Sequence, residues 1–83
     1  MFNNKTILIT GGTGSFGQAF VFYVLKHYSP KSVRIYSRDE LKQWEMANQF
    51  ANHSQFEILR FFIGDVRDKD RLYRATDGVD IVV

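Results

Sequence analysis

Apolar positions fall in short runs separated by helix-length stretches of mixed character. Residues 5–10 (KTILIT) are a β-branched run with apolar side chains on both faces, the pattern of a buried parallel strand. Residues 16–28 carry Phe16, Phe20, Val24 and Tyr28 at a spacing of four, which predicts a helix stopped by Ser29, Pro30 and Lys31. Residues 33–37 (VRIYS) read as a second strand. A second helix is predicted from Asp39 to Asn52, with Leu41, Trp44, Ala47 and Phe50 or Ala51 on its core face. Residues 56–63 (FEILRFFI) read as a third strand, turned by Gly64 and Asp65. A short helix over 69–76 follows, with Asp68 as N-cap. Asp77 and Gly78 turn the chain again, and residues 79–83 (VDIVV) open a fourth strand.

The order β-α-β-α-β-α-β requires parallel pairing with right-handed crossovers. It gives the N-terminal half of a Rossmann-type doubly wound α/β sheet, with spatial order 3-2-1-4. A fourth strand at the end of the chain lacks a covering helix and a far neighbour. Residues 1–83 are therefore expected to be part of such a domain, the N-terminal portion of a longer protein.

Composition removes several alternatives. With no cysteine there is no disulfide framework, zinc knuckle or thiol nucleophile. An apolar share of 45% argues against disorder. No apolar run approaches the roughly 20 residues of a membrane span, and no signal peptide precedes the first strand, so a cytoplasmic protein without membrane association is expected. Residues 1–38 carry five bases and no acid, whereas residues 39–83 carry six bases and nine acids. The basic half suits a polyanion, but Arg67, Lys69, Arg71 and Arg74 alternate with Asp65, Asp68, Asp70 and Asp77, so no nucleic-acid stripe forms.

The chemistry-bearing segment is TGGTGSFG, residues 10–17, between a strand and a helix. Gly12, Gly14 and Gly17 satisfy G-x-G-x-x-G, and Gly11, Gly14 and Gly17 the spacing G-x-x-G-x-x-G. One glycine makes a sharp turn, one lets a pyrophosphate approach the backbone, and one lets helix and strand pack closely. Amides at the helix start then point at phosphate oxygens, with Thr13, Ser15 and Phe16 as further donors. A mononucleotide P-loop is excluded, because Gln18 and Ala19 stand where Lys and Ser or Thr are needed.

Cofactor choice turns on the end of the second strand. Ser37 and Arg38, with Lys42 one helical turn on, suit an adenosine 2′-phosphate and so NADP. Two other readings remain open there: Ser37 and Glu40 as a helix capping box, and Asp39 as the ribose-binding acid of an NAD site. Asp65 and Val66 fall beside the adenine position of this topology, and Asp65 also suits an Asx turn. Arg67 and Asp68 read as residues that start the next helix. Tyr23, Tyr28, Tyr36 and Trp44 read as packing residues, and His27 and His53 as helix-end residues without metal-ligand spacing.

TGGTGSFG, YSRDELKQ (36–43) and IGDVRDKDRL (63–72) together resemble the extended short-chain dehydrogenase/reductase superfamily. Within it they look most like the inverting UDP-N-acetylglucosamine 4,6-dehydratases of flagellin-glycan and capsular polysaccharide biosynthesis. The resemblance covers nearly the whole chain. It implies a pyrophosphate site at Gly11, Thr13, Gly14, Ser15, Phe16 and Gly17, a 2′-phosphate site at Ser37, Arg38 and Lys42, and an adenine site at Asp65 and Val66. It implies a tightly held NADP, a nucleotide-sugar substrate, oxidation at C4, loss of water across C5 and C6, and return of hydride to C6 with inversion at C5. It also implies a homo-oligomer, catalytic residues beyond residue 83, and no turnover by residues 1–83 alone. A related epimerase or reductase, or a non-catalytic NADP-binding sensor, would share the same cofactor half.

Overall fold

The computed structural model describes residues 1–83. Four strands, β1 (Thr6–Thr10), β2 (Ser32–Ser37), β3 (Leu59–Ile63) and β4 (Ile81–Val82), form one parallel sheet in the order β3-β2-β1-β4. Helices α1 (Ser15–His27), α2 (Glu40–Phe50) and α3 (Lys69–Ala75) make the crossovers. This is the predicted Rossmann-type half-sheet, with β1 central and covered on both faces.

Alternation along the strands divides the core. Ile7 and Ile9 of β1 lie in register with Val33 and Ile35 of β2, and all four pack against Val21, Val24 and Leu25 of α1 and Met46 and Phe50 of α2. The intervening Leu8 points to the opposite face, where it meets Tyr36 and Ala75 beneath α3. Arg34, next to Ile35 on that second face, donates from Nη1 to the Ala75 and Asp77 carbonyls at 2.8 and 2.6 Å. It thus satisfies the C-terminal end of α3 and ties that helix to β2.

Several element edges and faces differ from expectation. The third strand begins at Leu59, because residues 56–58 form a short 3-10 turn. β2 pairs with β3 only from the Val33–Leu59 register onward, which leaves those three residues without a strand opposite. The fourth strand is confined to Ile81–Val82. Its approach is still pinned: the Asp80 amide donates to the Thr6 carbonyl, and the Asp80 carboxylate accepts from the Thr6 amide, both at 2.8 Å.

The second helix buries Phe50 as predicted, but it turns Leu41 and Trp44 of the predicted face outward. Gln43, Met46 and Phe50 are buried, while Leu41 and Trp44 are 64% and 65% exposed. Trp44 is therefore a surface residue and not core. The Gln43 amide draws this face in by donating to the Ser37 and Phe62 carbonyls at 3.2 and 2.8 Å. On α1 the stripe is also shifted: Gly17, Val21, Val24 and Leu25 are buried and Phe16 is exposed. Phe20 and Tyr28 sit at the core margin, edge-on to Phe2. Tyr23 is half exposed beside His27, whereas Tyr36 is fully buried. No helix is long and apolar enough to cross a membrane.

Candidate functional site

A cavity of about 620 Å³ opens at the C-terminal ends of β1, β2 and β3, the edge at which parallel α/β sheets bind ligands. Three chain segments wall it. Gly11, Thr13 and Gly14 come from the β1–α1 loop; Ser37, Arg38, Asp39 and Lys42 come from the end of β2 and the start of α2; Gly64, Asp65, Val66 and Arg67 follow β3.

The loop glycines have separate physical duties. Gly11 has φ of +66°, and it makes the turn by donating to the Tyr36 carbonyl at 2.9 Å and accepting from the Gly14 amide at 3.1 Å. Gly12 and Gly17 are packing glycines: a Cβ on Gly12 would stand 2.9 Å from Ile35 Cγ2, and one on Gly17 would stand 2.5 Å from Gly12 Cα. Gly14 has φ of −74°, and a Cβ there would meet nothing closer than the Gly11 carbonyl at 3.5 Å. Neither backbone conformation nor packing demands glycine at this position, which faces the cavity. What the missing side chain leaves is room for a ligand against the main chain.

Gly14 caps α1 without a side-chain hydrogen bond, and the first turn carries no acid. The amides of Ser15, Phe16 and Gly17 donate to no group in the chain. The structure places these three residues on the first turn of α1, beyond the cavity wall formed by Gly11, Thr13 and Gly14. The first turn thus presents bare donors with an uncompensated positive dipole end.

The end of β2 is organised by two hydroxyls. Thr13 Oγ1 and Ser37 Oγ lie 3.2 Å apart, both buried, and Ser37 Oγ also accepts from the Asp39 amide at 3.0 Å. Ser37 therefore forms a local turn and does not cap α2. The N-cap is Asp39, whose Oδ1 accepts from the Lys42 amide at 3.0 Å, so the Ser37–Glu40 capping box is replaced by this arrangement. Asp68 caps α3 as predicted, accepting from the Arg71 amide. Lys42 makes no ion pair and Arg38 makes one, to Asp65, and both residues line the cavity.

Across the cavity, the Asp65 carboxylate accepts from the Arg67 amide at 2.9 Å, which closes the expected Asx turn. It also takes the Arg67 guanidinium at 2.9 Å and Arg38 Nη1 at 3.3 Å. The Arg67 hydrogen bonds, side-chain first and then backbone, hold the Asp65 carboxyl well below the usual carboxylate range; Arg38 and Arg67 charges add to this and burial opposes it. The Asp65 carbonyl in turn accepts from the Tyr36 hydroxyl at 2.9 Å.

Residues 7–83 match the polysaccharide biosynthesis protein family over most of the chain. The chain belongs to that family. It is 55% identical over 83 residues to a UDP-N-acetylglucosamine 4,6-dehydratase (inverting) of Campylobacter jejuni, covering 100% of this chain and 24% of that relative. It is 48% identical over 85 residues to a UDP-glucose 4-epimerase of Rickettsia typhi, again covering 24% of the relative. Among solved structures, Pen from Bacillus thuringiensis superposes with a TM-score of 0.89 at 37% identity, over 98% of this chain and 25% of that one. The chain thus spans about a quarter of the length of the relatives it matches.

Two residues, one lining the cavity and one behind its wall, escaped sequence reasoning in their roles. Arg67 reads in sequence as a helix-start residue, yet it lines the cavity and grips Asp65. The Asp-x-Arg spacing held the signal, since an Asx turn folds the third residue back onto the first. Gln43, buried and bonded to the Ser37 and Phe62 carbonyls near the ends of β2 and β3, gave no signal in sequence.

Proposed function

We propose that this chain is the NADP-binding segment of a nucleotide-sugar 4,6-dehydratase acting on a UDP-N-acetylamino sugar in surface-polysaccharide or glycan assembly. The observation that carries the activity is the 55% identity, without a gap in coverage of this chain, to the C. jejuni dehydratase. The fit to a dinucleotide rests on Gly14, which neither backbone strain nor packing requires and whose missing side chain leaves room for a ligand against the main chain.

In this reading Gly11, Thr13 and Gly14 border the pyrophosphate, and the free amides of Ser15, Phe16 and Gly17 supply the helix-end donors to it. Arg38 and Lys42 neutralise an adenosine 2′-phosphate at the cavity mouth, with Ser37 as the floor beneath them. Asp65 accepts from the adenine amino group and Val66, 55% exposed, covers the ring. Asp39 keeps one oxygen on its helix cap and faces the same region, which is the NAD alternative. When bound, the nicotinamide supplies hydride acceptance from the sugar C4 and hydride return at C6. This chain's share is to bind and orient; the acid, base and lysine of such chemistry belong to the remainder of a full-length protein.

The R. typhi relative supports a second reading, a UDP-sugar 4-epimerase with the same cofactor half. The full-length protein incubated with UDP-N-acetylglucosamine separates the two. Formation of a 4-keto-6-deoxy sugar nucleotide, lighter than the substrate by one water, supports dehydration. A product of unchanged mass supports epimerisation, and no conversion together with no NADP binding removes both.

A further inference from the structure

The Asp65 carboxylate has no acceptor site to spare. Oδ1 accepts from the Arg67 amide at 2.9 Å and Arg67 Nε at 3.2 Å. Oδ2 accepts from Arg67 Nη2 at 2.9 Å, Arg67 Nε at 3.3 Å and Arg38 Nη1 at 3.3 Å. An ionised carboxylate offers about four lone-pair sites, and two arginines fill them.

The two arginines hold on differently. Arg67 is a chelate: its amide, Nε and Nη2 all reach a carboxylate two residues earlier in the chain. Arg38 reaches across from the end of β2 with a single bond at 3.3 Å, its side chain 75% exposed. A purine amino group docking on Asp65 must displace one donor, and Arg38 is the weaker-held.

We propose that Arg38 is an exchanging contact: it leaves Asp65 Oδ2 for the 2′-phosphate, and its departure opens the acceptor that the adenine amino group needs. The inference rests on the NADP reading above and deepens it. Arg38 then favours NADP in two ways. It attracts the extra phosphate, and it competes with the adenine of any nucleotide that lacks one. In the second case nothing draws Arg38 off Asp65, so the adenine must break that ion pair unaided.

The sign of one measurement separates this from plain charge. Deleting a cation beside a dinucleotide anion ordinarily weakens binding of NAD and NADP alike. Exchange demands that NAD bind more tightly once Arg38 is gone.

The test is calorimetric titration of the full-length protein with NADP and with NAD, for the parent and Arg38→Ala. The expected result is NADP weakened about ten- to hundredfold and NAD tightened about two- to fivefold. Arg38→Met, which keeps the aliphatic stem, gives the same pair of changes if Arg38→Ala does not fold. Weakened NADP with NAD unchanged or weaker overturns the exchange and leaves the NADP reading standing. Unchanged NADP affinity, or no NADP binding by the parent, overturns the NADP reading and the exchange with it.

Discussion

The Tyr36 hydroxyl, at the end of β2, donates to the Asp65 carbonyl 2.9 Å away in the loop after β3. Tyr36 is 1% exposed, and its ring lies directly against Gly64, so the loop is seated on the phenol. Burial, with the nearby Asp68 and Asp65 charges, raises the Tyr36 pKa above its usual value, which keeps the donor proton in place. Tyr36→Phe leaves the Asp65 carbonyl without this donor. It is expected to cost about 1 kcal/mol in urea unfolding and to speed hydrogen exchange at the Gly64 amide. Unchanged stability and exchange would show that the hydroxyl does not hold the loop.

Two glycines of one motif are expected to fail differently. Gly17→Ala drives a Cβ to 2.5 Å from the Gly12 backbone, and should destabilise the fold by about 2–3 kcal/mol. Gly14→Ala meets no close neighbour, and should cost under about 1 kcal/mol as a poorer helix cap. It should nevertheless weaken nucleotide binding by about tenfold or more, equivalent to roughly 1.4 kcal/mol. Denaturation midpoints beside dinucleotide titrations read the two effects, and equal stability losses would contradict the division of labour.

The inward face of α2 gives a further contrast. Met46 is fully buried and Trp44 is 65% exposed. Met46→Ala should cost about 2–5 kcal/mol, and Trp44→Gln should stay within about 0.5 kcal/mol of the parent. A larger loss at Trp44 than at Met46 in chemical denaturation would restore the face predicted from sequence.

Asp65 should remain ionised well below the ordinary Asp pKa of about 3.9, because Arg67 holds its charged form. A folded-state pKa lowered in this way adds stability that is complete above the unfolded value. It is lost only as pH falls on toward the depressed value, since the unfolded chain takes up the proton first. Carboxyl carbon NMR should therefore show no Asp65 titration between about pH 5 and 3, and Arg67→Ala should return the midpoint toward normal. An ordinary midpoint in the parent would mean that the Arg67 contacts do not persist in solution.

Much of this architecture is legible in the chain because strong local signals agree. The β-branched TILIT run, the glycine loop and the Asp68 cap each specify the same parallel topology, and the order 3-2-1-4 follows. The glycine loop and the residues ending β2 and β3 likewise converge on one cavity. What hides is set by tertiary partners. Gln43 looks like a surface residue until two strand-end carbonyls receive its amide, and that bond turns the helix so that Leu41 and Trp44 face out. Residues 56–58 have strand-like composition, but the register of β2 leaves them no neighbour. Arg67 is read as a helix residue because its tie to Asp65 depends on a turn conformation and not on periodicity.

The paired hydroxyls of Thr13 and Ser37 have a mechanical consequence. They stitch the glycine bend to the tip of the neighbouring strand, so the two corners cannot drift apart independently. In the proposed binding mode the gap between them would act as a gauge set before a guest arrives, and a molecule with its negative groups at another separation would satisfy one corner only.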